Sequence, residues 1–176
     1  VTRYVGIDPS TKTGIVALSP SGRTLDAREI EGKGEDPRRM YSIIQAVSRA
    51  IQPDDIICIE DFGFSSQKAV ILGGIGWGIR MELYRRGFKY IQVAPKALKK
   101  FTGAGGNANK EQVADGVFNC WGLRYKSDNV TDAYVLAQIA RAMHENIKTT
   151  KFQQEVINVI RNPQPKSKKK KEKKTG

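Results

Sequence analysis

Three acidic residues stand where a carboxylate can do chemistry. Asp8 ends a short apolar run and enters a hydroxyl-rich, glycine-closed turn, Pro9-Ser10-Thr11-Lys12-Thr13-Gly14. Glu60 ends a second apolar run, Ile56-Ile57-Cys58-Ile59, and Asp132 follows Ser127-Asp128-Asn129-Val130-Thr131 at the start of a long apolar segment. Carboxylates gathered at one place hold hard divalent cations through oxygen, and such a cluster supports phosphodiester hydrolysis without a nucleophilic side chain. Taken singly, Asp8 fits a turn-capping role beside Pro9 equally well.

The elements around these acids decide whether they can meet. The run at 4–8, followed by Ile15-Val16-Ala17-Leu18 directly after Gly14, predicts a β-hairpin with the acid near its turn. A weaker strand at 24–30 completes a meander. Asp36-Pro37, as cap and first position, opens a helix whose apolar stripe is Met40, Ile43, Ile44, Val47 and Ile51. The continuous apolar run before Glu60 predicts a strand covered on both faces. Strand, crossover helix and strand in this order lie parallel, so Asp8 and Glu60 should emerge on one edge of the sheet. Two acids there repel unless a cation or a shared proton intervenes, which favours a metal site over a structural pairing.

Further along, the glycine-crowded stretch at 62–87 predicts a helix pressed tightly on a neighbour or a partner subunit, because close packing must offset the helix-weakening glycines. A fifth strand is expected at 89–93. Lys96, Lys99 and Lys100 then lie on a short helix before the glycine-rich loop at 102–109, and Lys110 opens the next helix. Such a loop can present backbone N–H groups to phosphate, although solvated lysines around a solvated loop explain the same pattern. Val113, Val117, Trp121 and Leu123 suit a core helix. Ser127 or Asp128 is the expected N-cap of the following helix, on which Asp128, Asn129 and Asp132 can share one face. Phe152, Val156, Val159 and Ile160 mark a last amphipathic helix.

The 176-residue chain suits one core, and its net charge of +12 with a pI near 9.8 calls for a polyanionic partner. Seven lysines and one glutamate lie in 166–176, so half of that charge belongs to the tail and half to the body. A domain at 1–161 and a disordered Lys-rich tail at 162–176 are expected. Cys58 and Cys120 have no Cys or His at ligand spacing and read as reduced, packed thiols. No apolar run is long enough to span a bilayer and no signal-peptide pattern is seen, so a soluble chain in the cytoplasm of a bacterial or phage-infected cell is expected. His144 is the only histidine and reads as a packing or solvent residue.

The ordered set Val5-Gly6-Ile7-Asp8-Pro9-Ser10, Ile59-Glu60, Ala94-Pro95 with Lys99-Lys100, Thr102-Gly103, Ala108-Asn109-Lys110-Glu111-Gln112-Val113 and Thr131-Asp132-Ala133 resembles the RuvC family of Holliday-junction resolvases, phage-type members included. The resemblance spans about residues 4–144. It implies an α/β, RNase H-like fold, with a five-stranded mixed sheet of three antiparallel and two parallel strands flanked by helices. It also implies a homodimer that nicks opposed strands of a four-way junction, or other branched DNA, in recombination and repair. Two Mg²⁺ ions per active site, replaceable by Mn²⁺, are part of that expectation.

Carried over by position, the resemblance implies Asp8, Glu60 and Asp132 as catalytic metal ligands and Lys110 as a catalytic cation. The family's fourth acid or histidine falls on Asn129, so Asp128 is the favoured substitute and Asn129 the alternative. DNA contacts are expected at Ser10, Lys12, Phe62, Phe64, Lys68, Lys96, Lys99, Lys100 and Lys110. The aromatic wedge position of the family is Gly63 here, which leaves Phe62 or Phe64 to serve. Asn129 also leaves open a junction-binding protein of impaired catalysis. Asp8 to Gly14 further resembles the phosphate loop of actin-like phosphotransferases, but no second loop of that type occurs and the chain is short for two lobes.

Overall fold

The computed structural model describes residues 1–63 and 67–165. Three consecutive strands, β1 (Tyr4–Asp8), β2 (Lys12–Leu18) and β3 (Thr24–Glu31), form the antiparallel meander. Helix α1 (Arg38–Ala50) crosses over the sheet to β4 (Ile56–Glu60), which lies parallel to β1, and α2 (Ala69–Arg85) crosses again to β5 (Tyr90–Val93), parallel to β4. The sheet order is β3-β2-β1-β4-β5. This is the mixed sheet of three antiparallel and two parallel strands that the resemblance implied.

The remaining helices are α3 (Pro95–Phe101), α4 (Lys110–Trp121), α5 (Asp128–His144) and α6 (Lys151–Arg161). One core lies between the sheet and α1 with α2, where Val5, Ile7, Ile57 and Ile59 meet Ile43, Val47, Ile75 and Ile79. The other lies on the opposite face, where Val16, Leu18 and Cys58 meet α5, with Phe101, Val117 and Val156 closing it. Alternate residues of β1 and β4 therefore supply both cores, which explains why those strands are apolar throughout. Among the described residues no helix is long and apolar enough to cross a membrane.

The position of α5 is set by two glycines. A methyl group on Gly6 would overlap the carbonyl oxygen of Ala133 and the backbone nitrogen of Ala137, and one on Gly14 would overlap the carbonyl of Asn129. The helix backbone thus rests directly on β1 and β2, at a depth that only hydrogen at those Cα atoms permits. Gly6→Ala should lift α5 off the sheet and cost about 1–3 kcal/mol or more. Thermal unfolding of the variant checks this, and an unchanged midpoint would refute the contact.

Several boundaries differ from the sequence reading for local reasons. Helix α1 starts at Arg38 with Pro37 at the cap position and no side-chain cap bond, because the Asp36 carboxylate turns instead to Arg39 at 2.7 Å. Strand β5 begins at Tyr90, one residue after Lys89, and β2 begins at Lys12, which shortens the turn after Asp8. The glycines of α2 do press on a neighbour. Gly78 leaves room for Ile44 of α1, and a methyl on Gly74 would sit 3.0 Å from the Met40 sulfur. Ser127 caps α5 by accepting from the Val130 N–H, leaving Asp128 in the first turn. Residues 162–165 follow α6 without regular structure, while 166–176 lie outside the described residues.

Candidate metal centre

The β1–β4 register pairs Ile7 with Ile59, so the next residues, Asp8 and Glu60, leave adjacent strands side by side. Helix α5, seated on Gly6 and Gly14, brings Asp132 to the same edge one turn from its N-terminus. Each of the three carboxyls offers an oxygen, and these oxygens lie within 4.8 Å of one another. Asp8 is buried, and Glu60 and Asp132 are partly so.

Crowding of acids under low exposure shifts their protonation. Burial, then the charges of Glu60 and Asp132, push the Asp8 carboxyl well above the usual range. Asp132 is pushed up to about 8, first by burial and then by Glu60 and Asp128, against the opposing pull of Lys99 and Lys110. Glu60 is also raised by burial, but its contact with Asp8 and the charge of Lys99 pull the other way, so Asp8 is the member of that pair that holds a proton. Glu60 Oε2 is sealed from solvent with no hydrogen-bond partner. A buried acceptor without a donor, inside a set of hard oxygen ligands that repel one another, fits a divalent cation.

Two hollows flank the acids. One, of about 160 Å³, is lined by Asp8, Glu60, Asp61 and Phe62, and the other, of about 260 Å³, by Asp132, Asp128, Asn129, Lys99 and Lys110. Lys110 pairs with Asp128 at 3.1 Å, but both side chains are largely exposed, so the pair contributes about 1 kcal/mol at most. A larger hollow of about 980 Å³ lies beyond the 102–108 loop, away from the three acids. Its amides Gln112 and Gln153 are spent on the capping boxes of α4 and α6.

The structure sorts the expected site residues. Asp8, Glu60 and Asp132 converge, whereas Asp128 stands outside their 4.8 Å group and reaches Asp8 and Asp132 through its charge alone. Asn129 Nδ2 donates to the Lys12 carbonyl at 2.8 Å, tying α5 to β2. Ser10 closes its own turn with Thr13, and Lys12 lies 3.5 Å from Glu31 on the exposed sheet surface. On α3, Lys99 faces the acids while Lys96 and Lys100 lie along the loop at Gly106. Lys68 occupies the cap position of α2. Phe62 stacks on Trp77 with ring centroids 5.5 Å apart, next to Glu60. Phe64 lies outside the described residues. His144, at the far end of α5, contacts the Ala140 carbonyl and the Tyr4 ring.

Two residues near the site escaped the sequence reading. Asp61 accepts from the Phe62 N–H at 2.8 Å and adds negative charge beside Glu60. Arg80 is buried on the inner face of α2, where a single charge among Ile75, Gly76 and Ile79 was the available signal.

Fold and acid cluster together define a protein with the RNase H-like architecture of RuvC. Thermus thermophilus RuvC superposes with a TM-score of 0.61 at 23% identity, covering 76% of this chain and 89% of that one. T. thermophilus RuvC in complex with a Holliday junction substrate gives 0.59 at 20% identity, covering 76% and 88%. In sequence, the crossover junction endodeoxyribonuclease RuvC of Chloroherpeton thalassium is 31% identical over 120 residues, 62% of this chain. The match spans 64% of that relative's length, just under two thirds. No family model matches the chain. The resemblance to the RuvC family is thus borne out in sequence and in fold.

Proposed function

We propose that the chain is a divalent-cation-dependent endonuclease that resolves four-way DNA junctions, and other branched DNA, by paired nicks. The observation that carries this reading is the convergence of Asp8, Glu60 and Asp132, from three elements far apart in sequence, to within 4.8 Å at one edge of the sheet of a basic protein. These three side chains hold the cation, with Asp128 swinging from Lys110 to complete the set and Asn129 remaining on the Lys12 carbonyl. Two Mg²⁺ ions, or Mn²⁺ in their place, would supply an activated water and stabilise the departing 3′-oxygen.

The chain's own groups do the rest. Lys99 and Lys110 line the hollow beside Asp132 and offset charge gathering on the phosphoryl oxygens. In this reading Lys12, Lys68, Lys96, Lys100 and Ser10 bind flanking phosphates, and Phe62, with Phe64, supplies an aromatic face for an unstacked base. Residues 1–161 form the nuclease domain, and the lysines of 166–176 add affinity without structural selectivity. Cytoplasmic DNA intermediates of recombination or repair are the substrates this reading implies.

A four-way junction has two strands to nick, and among the described residues the chain has one such cluster. A second copy supplies the other site. Val70, Trp77, Met81 and Tyr84 are exposed at helical spacing on the face of α2 turned away from the buried Ile75, Ile79 and Leu83, and they form the surface for that copy. Met81→Asp should yield monomers in sedimentation and replace paired nicks by single ones. A dimer that persists would move the interface elsewhere.

Nicking of a synthetic four-way junction in Mg²⁺ tests the function. Lys110→Ala should slow nicking by about 10²-fold while junction affinity changes far less, since the charge acts in the transition state. Equal losses of rate and affinity would reject that role. A wild type that binds the junction without nicking it would leave a binding protein in place of a nuclease.

A further inference from the structure

Glu60 lies just past the last β1–β4 pair, so on the β1 side the sheet stops short of holding it. Its β5 neighbour is Val93. What grips the strand end on the remaining side is Arg80, 1% exposed, whose guanidinium donates in three directions. Nη2 meets the Glu60 carbonyl at 3.1 Å, Nη1 the Gly76 carbonyl at 3.0 Å, and Nε the Gln92 side-chain oxygen at 3.0 Å. The ends of β4 and β5 are thereby joined to the middle of α2 at one planar group. The same guanidinium lies 4.2 Å from the centre of the Phe62 ring and 5.9 Å from that of Trp77, on which Phe62 stacks.

Its partners are unusual for a buried cation. Among the described residues no carboxylate lies within ion-pair distance of it, and its donors go to carbonyl and amide oxygens. A buried charge is poor evidence of stabilisation, because an apolar residue of like volume often serves as well. Planar, multidirectional donation is what a lysine or a methionine cannot reproduce.

We propose that Arg80 is a positioning residue for cation binding: by fixing the Glu60 carbonyl it aims the Glu60 carboxylate at Asp8 and Asp132, and by bracing Phe62 it holds that ring beside the same edge. This rests on the reading of the three acids as a cation site. Residues around a metal's ligands commonly set affinity by about 10–100-fold, and a loss in that range is expected here.

The test uses the full chain and Mn²⁺ as the probe, with free Mn²⁺ read by electron paramagnetic resonance and folding by thermal unfolding. Arg80→Met, Arg80→Lys and Gln92→Leu should fold, and Gln92→Leu should bind a four-way junction without cation as the wild type does. Mn²⁺ affinity should fall by about 10-fold or more in both Arg80 variants and by less in Gln92→Leu. The Mn²⁺ concentration needed for half-maximal nicking should rise by the same factor, with a smaller change in the rate at saturation. If Arg80→Met does not fold, Arg80→Lys and Gln92→Leu carry the test. Wild-type Mn²⁺ affinity in the folded Arg80 variants, or in Gln92→Leu when neither Arg80 variant folds, would overturn the assignment. A wild type that takes up no Mn²⁺ would instead sink the nuclease reading itself.

Discussion

Asp8→Asn should abolish junction nicking, by about 10³-fold or more, and at the same time make the cation-free protein more stable. The loss of rate corresponds to about 4 kcal/mol of barrier. It follows because an amide at this position removes one anionic ligand from the middle of the cluster, between Glu60 on the neighbouring strand and Asp132 on α5. The gain in stability follows from the same crowding. Burial and the charges of Glu60 and Asp132 already hold the Asp8 carboxyl well above its ordinary range, so ionising it in the folded state is costly. Asparagine occupies nearly the same volume without that cost. Removing a destabilising functional group of this kind typically adds about 0.5–2 kcal/mol. Nicking assays and thermal unfolding in a chelator measure the two effects, and a variant less stable than the wild type would contradict the repulsion described at the site.

The second large effect is a pH dependence that a cation should remove. Asp132 titrates near 3.8 when unfolded and is pushed up to about 8 when folded. Asp8 and Glu60 are shifted in the same direction. Between those limits the folded state holds more protons than the unfolded one, so the cluster's share of stability is complete below about pH 4 and is lost as pH rises towards about 8. A bound divalent cation replaces those protons and favours the ionised acids. In a chelator, the unfolding temperature of the wild type relative to Asp132→Asn should therefore fall across that window, and added Mg²⁺ should flatten the fall. A difference that rises with pH in the chelator would contradict the folded-state ordering of these groups.

Much of this arrangement is legible in the amino-acid sequence. The apolar runs ending in Asp8 and Glu60, with a crossover helix between them, determine two adjacent parallel strands, and parallel strands bring their carboxyl ends to one edge. The helical spacing of Asp128, Asn129 and Asp132 placed the third acid within one turn of a helix start. What local pattern could not supply was depth and partnership. That α5 lies against Gly6 and Gly14 is a contact between residues more than a hundred positions apart, and it brings Asp132 to the strand ends. Asn129 is taken up by the Lys12 carbonyl and Asp128 by Lys110, choices made by tertiary packing and not by helical periodicity. Arg80 was passed over because a charge at the edge of the apolar part of α2 carries no sign of where its three donors will end. The cap of α1 differed because the Asp36 carboxylate pairs with the nearby Arg39 while Pro37 takes the cap position.

The most direct test is anomalous diffraction from crystals of the chain soaked in Mn²⁺. A peak bounded by the carboxylates of Asp8, Glu60 and Asp132, and missing in Asp8→Asn, is the predicted result. Strong peaks elsewhere with none among these three side chains would contradict it.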